Sequence, residues 1–178
     1  MRTRHFAPDV PLRGDFNGTV LHPLCRFRTS VPTGGSSAGG SAIQFPADSL
    51  AEDEDYLVRM AVAKNPCAPE TALRHLAEDE YLFVRCSVAQ NPATPEDVLM
   101  LLAQEPEVDF EDVRAAVALN ESAPLALLEL LAQDESSVVR GALTHNPCAS
   151  EGVLKRLAED QVSYVREAAH SVLVSRQH

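Results

Sequence analysis

One arginine recurs through this chain at near-constant spacing, as Arg59, Arg85, Arg114, Arg140 and Arg166. Aspartates stand six residues before four of them: Asp53, Asp79, Asp134 and Asp160. A bare row of guanidinium groups would bind anions. Arginines each matched by a carboxylate at one spacing instead pair with it, within a unit or between units, and fix a stacking register. Asn65, Asn91, Asn120 and Asn146 recur in the same way, as amides expected to bond exposed backbone at a turn. Catalytic chemistry finds less to stand on. His75, His145 and His170 share no position in the repeat, and none has a Cys or second His at metal-ligand spacing. Ser87 lies among small residues without a periodic His and acid beside it, and no Gly-rich phosphate loop follows a strand-like run. The sequence therefore assigns no catalytic residue, no metal ligand and no cofactor, and the expectation is a protein that is not an enzyme.

The elements that must carry these rows come from an internal repeat. Units begin at Leu50, Leu76, Leu102, Leu131 and Leu157, at spacings of 26, 26, 29 and 26 residues. A fixed period of this length marks a solenoid, in which no unit buries its apolar face alone. Each unit holds two helical runs. The first carries Val-Arg, as in Val58-Arg59 and Val84-Arg85, with small or apolar residues three and four positions on: Ala61/Val62, Ser87/Val88, Ala116/Val117, Ala142/Leu143 and Ala168/Ala169. It stops at Asn65-Pro66, Asn91-Pro92 and Asn146-Pro147, because proline disfavours helix in the residue before it. The second run opens at Pro69, Pro95 or Pro124, a favoured first helical position, with Thr94 as an N-cap. Its apolar face is Ala72-Leu73-Leu76, Val98-Leu99-Leu102, Leu127-Leu128-Leu131 and Val153-Leu154-Leu157. Two short helices in 26 residues leave no room for a strand, so the array is all-α. The fifth unit replaces Asn-Pro by Val172-Leu173, which lets the last helix run on.

Residues 1–42 read differently. Four prolines and a Gly/Ser-rich run from Thr33 to Ser41 give a linker composition, and the segment is expected to be disordered, with the array occupying 43–178. Arg13-Gly14-Asp15 and Asn17-Gly18-Thr19 spell short motifs that chance supplies readily. Charge is divided as well. Residues 1–49 carry five Arg against three Asp, whereas residues 50–178 carry ten Lys/Arg against 23 Asp/Glu, or −13. An acidic body repels phosphate backbones and argues against nucleic acid as a partner. There is no apolar run long enough to span a membrane and no secretory leader pattern. Four scattered cysteines suit a reducing, cytoplasmic setting.

Taken together, Leu-Ala-x-Asp, Val-Arg-x-Ala-Val-Ala-x-Asn-Pro and Thr-Pro-x-x-x-Leu closely resemble the bacterial leucine-rich repeat variant family over about residues 50–173. The Asp-x4-Val-Arg core is similar, more distantly, to HEAT-type repeats. The resemblance implies a right-handed α-solenoid of about five two-helix repeats, α/3₁₀ or α/α in its layers. The family's best-known members add a cysteine-rich module with a four-iron, four-sulfur cluster. Here the N-terminal region offers only Cys25, and a cluster needs four converging thiolates. Cys67 and Cys148 sit three units apart, about 25–30 Å at ordinary helix spacing, too far to share a cluster or a disulfide.

Two features can bind a partner. The residue before each Val-Arg is Leu57, Phe83, Asp112, Val138 and Tyr164, four of five apolar; stacking lines them into a ridge unless they pack against the next unit. The longer third unit sets Phe110 among Glu107, Asp109, Glu111 and Asp112, an aromatic anchor with an acidic rim or a tolerated insertion. The expectation is a monomeric, non-catalytic scaffold for protein–protein interaction with a basic segment, steered by the acidic body. A redox or cofactor-linked accessory role is the alternative.

Overall fold

The computed structural model describes residues 47–104 and 111–177. Among them are ten helices and no strand: α1 (Ala47–Leu50), α2 (Tyr56–Ala63), α3 (Glu70–Leu76), α4 (Leu82–Gln90), α5 (Glu96–Ala103), α6 (Glu111–Leu119), α7 (Leu125–Leu131), α8 (Ser137–Leu143), α9 (Glu151–Leu157) and α10 (Ser163–Ser175). Each unit is a helix pair, and the pairs stack into an α-solenoid. Helices α2, α4, α6, α8 and α10 form one layer; α3, α5, α7 and α9 form the other, with α1 standing where the second helix of a preceding unit would be. Both layers are α-helical, which resolves the α/3₁₀ alternative in favour of α/α. The proposed boundary between residues 42 and 43 lies outside the described residues.

The core follows the sequence period. Val84, Val113, Val139 and Val165 of the Val-Arg pairs are fully buried, as are Leu73, Leu99, Leu128 and Leu154 facing them from the second layer. Each such side chain contributes roughly 1.5–3 kcal/mol of burial, and none could do so without its neighbouring unit. First-layer helices pack directly on one another along the whole array, more closely than the second-layer helices do from α3 onward.

Helix starts differ in detail from the sequence reading. Pro69, Pro95 and Pro124 have ψ of 147, 150 and 149° and precede their helices as N-caps rather than occupying the first helical position. Their carbonyls accept from Leu73, Leu99 and Leu128, which a residue lacking an N–H does as well as any other. Thr94 does not cap α5. Its hydroxyl is buried and donates at 2.6 Å to the Val88 carbonyl at the end of α4. Side-chain caps occur where Asp55, Ser136 and Ser150 accept from Leu57, Val138 and Val153.

Candidate interaction surface

The periodic polar residues turn inward. Asn91, Asn120 and Asn146 are 3, 5 and 1% exposed, so they bond turn backbone, as expected, from buried positions. Each reaches back across the seam to the preceding unit. The Asn91 side-chain amide donates to Ala63 O and Asn65 O, both at 2.7 Å; that of Asn120 donates to Ala89 O and Asn91 O; that of Asn146 donates to Ala118 O and Asn120 O. The side-chain oxygens of all four, Asn65 included, accept the backbone N–H two residues on. One amide thus closes its own turn, satisfies a carbonyl that the previous helix end leaves open, and adds a second donor to an asparagine carbonyl that already accepts from its own turn.

The arginine ladder obeys the same geometry, with a partner other than the aspartate six residues earlier. Arg59 pairs bidentately with Asp79, twenty residues later, at 2.5 and 3.1 Å; Arg114 pairs with Asp134 at 2.7 and 3.1 Å, and Arg140 with Asp160 at 2.6 and 3.0 Å. The aspartate six positions earlier contributes its backbone carbonyl instead, as Asp53, Asp79, Asp134 and Asp160 do for Arg59, Arg85, Arg140 and Arg166. Each carboxylate also accepts the N–H two residues on. Every guanidinium of a complete rung therefore holds its own turn and the next unit's turn together. For Arg85 the position twenty residues on is Glu105, outside the described residues.

These contacts set the charge states. Burial pushes the Asp79 carboxyl up, but the Arg59 hydrogen bonds, the Tyr81 N–H and the Arg59 and Arg85 charges outweigh it and leave the group below its ordinary value. The Arg140 hydrogen bonds hold Asp160 low against burial, helped by the Val162 N–H and the charges of Arg140 and Arg166. A groove of about 460 Å³ between the fourth and fifth units is lined by Asp134, Glu135, Arg140, Arg156, Glu159 and Asp160. Its inner charges already belong to the ladder. Among the described residues no three His, Cys, Asp or Glu side chains converge as a metal site would require.

A residue that the period hid closes the array. The fifth unit has Val172 where the others have Asn. Arg176 takes over: it donates to Ala149 O at 2.6 Å, Pro147 O at 3.0 Å and Asn146 O at 3.4 Å. The signal available in the sequence was the missing amide itself, which leaves the Asn146 turn in need of a donor.

A family model described as leucine rich repeat variant matches residues 111–136, which run from the start of α6 to the N-cap of α8. Over this one unit the chain is similar to the leucine rich repeat variant family. The matched stretch holds one complete set of the parts just described: Val113-Arg114, Asn120, Pro124 and Asp134. Among curated proteins and solved structures, comparison with the whole chain finds no match.

What the variant repeat leaves on its surface is the ridge. Leu57, Phe83, Val138 and Tyr164 are 50, 66, 45 and 48% exposed, and Asp112 between them is exposed too. They do not disappear against the next unit. Tyr164 comes nearest to that arrangement: its ring lies over Gly141 of the preceding unit, where an added Cβ would sit 2.9 Å from Cε2. Of the acidic loop, Glu107, Asp109 and Phe110 lie outside the described residues. Glu111 accepts a hydrogen bond from Ser136 Oγ, so it belongs to the seam, while Asp112 faces solvent. Beside the ridge, at the turns entering the first layer, Glu54, Asp55, Glu80 and Glu135 are exposed. Lys64 and Arg176 are the exposed Lys and Arg of this layer among the described residues, and Arg176 is bound to carbonyls. Arg74, Lys155 and Arg156 stand on the second layer. No described helix is long and apolar enough to cross a membrane.

Proposed function

We propose that this protein is a non-catalytic scaffold whose first-layer face binds a basic segment of another protein. The observation that supports this reading is the exposed row Leu57, Phe83, Val138 and Tyr164 along a face whose free charge is negative. Apolar side chains supply the contact area, and the acidic rim steers a cationic partner and sets the rate of encounter. Nucleic acid would meet the same negative field as a barrier. The scaffold acts as a monomer, with Arg176 closing its last turn. The redox alternative has no converging ligand set to rest on among the described residues.

The test is retention of proteins from a cell extract on the immobilised full chain, at low and high salt, beside a chain carrying Phe83→Ser and Val138→Ser. A basic protein held by the parent chain at low salt, released by salt and lost from the variant is the expected result. Equal retention by both chains would overturn the assignment of the face.

A further inference from the structure

We infer that the partner segment binds as an amphipathic helix with apolar side chains at seven-residue spacing and a lysine or arginine at the position that falls on Asp112. This rests on the interaction reading above and adds to it the conformation and the pattern of the ligand. Three observations carry it.

The first is spacing. The ridge residues sit at one equivalent position of successive first-layer helices, which pack directly on each other. Packed helices lie about 8–10 Å apart, and seven residues of an α-helix advance about 10.5 Å. A helix lying along the ridge thus meets one ridge residue every second turn.

The second is backbone satisfaction. An extended peptide brings unpaired N–H and C=O groups that the receptor must bond. An asparagine row is the natural device for this, but here Asn91, Asn120 and Asn146 are buried and their amides already bond Ala63, Ala89, Ala118 and the neighbouring asparagine carbonyls. Among the described residues, the helices of this face bond their backbone internally and offer side chains. A helix, whose backbone bonds internally, is the ligand that such a face can take.

The third is the interruption in the row. Its centre is Asp112, exposed, between Phe83 and Val138, with Glu80 and Glu135 on the neighbouring turns. An apolar ligand residue placed over Asp112 would strip water from the carboxylate without replacement. A lysine or arginine there compensates it, and the order apolar–cation–apolar fixes the register.

The experiment measures binding of the full chain to two synthetic helical peptides on an Ala/Lys/Gln background, with leucines seven residues to either side of a central residue that is Lys in one and Glu in the other. The Lys peptide should bind about tenfold more tightly, as expected for a charge reversal at a partly desolvated site. Asp112→Asn should remove the preference, and Asp112→Lys should invert it. Both changes sit on an exposed side chain, and circular dichroism checks that helix content is kept. If both peptides bind through Phe83 and Val138 but Asp112→Asn leaves the preference intact, the register is wrong and the scaffold reading stands. If neither peptide binds while salt-sensitive retention of a basic protein persists, the helical ligand is overturned and the scaffold reading again stands. Self-association of the chain that Phe83→Ser abolishes would make the occupant a second copy and overturn the proposal.

Discussion

The seams between units and the outward face of the first layer are written with the same period, yet they end in opposite environments. Asn120 in the seam is 5% exposed and its amide makes three hydrogen bonds; Phe83 on the face is 66% exposed. Recurrence by itself therefore does not separate a residue that holds the stack from one that the stack displays. The difference lies in what each residue would leave behind. Removing a seam residue orphans buried polar groups on two units at once, whereas removing a face residue exposes nothing that was hidden.

The largest effect expected from that contrast is at Asn120. Replacement by Ala leaves Ala89 O and the Ser122 N–H without their partners and strips Asn91 O of one of its two donors, and stability should fall by about 3 kcal/mol in urea titration. A loss under 1 kcal/mol would mean that water replaces the amide and that the ladder is not what holds the seam.

Next in size is the Arg59–Asp79 rung. Asp79→Asn keeps the shape but removes the charge facing a guanidinium that is 9% exposed, at a cost of about 3 kcal/mol, the low end for breaking a buried pair. The pH dependence sharpens this. Asp79 and Asp160 have folded-state values below their ordinary ones, so their stabilisation is fully present above about pH 5 and is lost as pH falls below about 4 through the folded values. Thermal melts of parent and Asp79→Asn chains should therefore converge as the pH is lowered through the folded-state value of Asp79. A gap that stays constant would assign the effect to shape rather than charge.

Much of the fold was legible because period and chemistry agree. The spacing of Val-Arg and Asn-Pro located the helix pairs, and Val84 or Leu99 could only be core. Partners were less legible. Arg59 has one aspartate six residues before it and another twenty after, and only the stacking geometry decides that the first offers its carbonyl and the second its carboxylate. Thr94 looked like a cap because Ser and Thr before proline so often are; the carbonyl of Val88, close in space, won it instead. Whether Leu57 or Tyr164 faces solvent depends on the tilt between neighbouring first-layer helices, which no local pattern encodes. The candidate face was thus readable as a row, and not as a surface.

Arg176 tests the comparison at the fifth unit, where an arginine stands in for the seam asparagine. Arg176→Ala should leave the first four units unchanged and reduce hydrogen-exchange protection of α10 by about five- to tenfold. Arg176→Asn would reach fewer of the three carbonyls and recover little. Uniform loss of protection along the chain would instead show that the stack unfolds as one unit.

The smallest effect belongs to the face. Phe83→Ser removes an aromatic ring from solvent contact and should change stability by no more than about 0.5 kcal/mol, because nothing buried is left unpaired and no cavity opens. Tyr164 is the informative exception, since its ring rests on Gly141; Tyr164→Ser uncovers that backbone and should cost more than Phe83→Ser does. Gly141→Ala approaches the same contact from below, because its new methyl meets the movable edge of an exposed ring rather than packed core. A small loss there, with Tyr164 displaced outward, would place the fifth rung of the ridge on the display side of the molecule. A loss of several kcal/mol would move Tyr164 to the seam and shorten the binding row to Leu57, Phe83 and Val138 around Asp112.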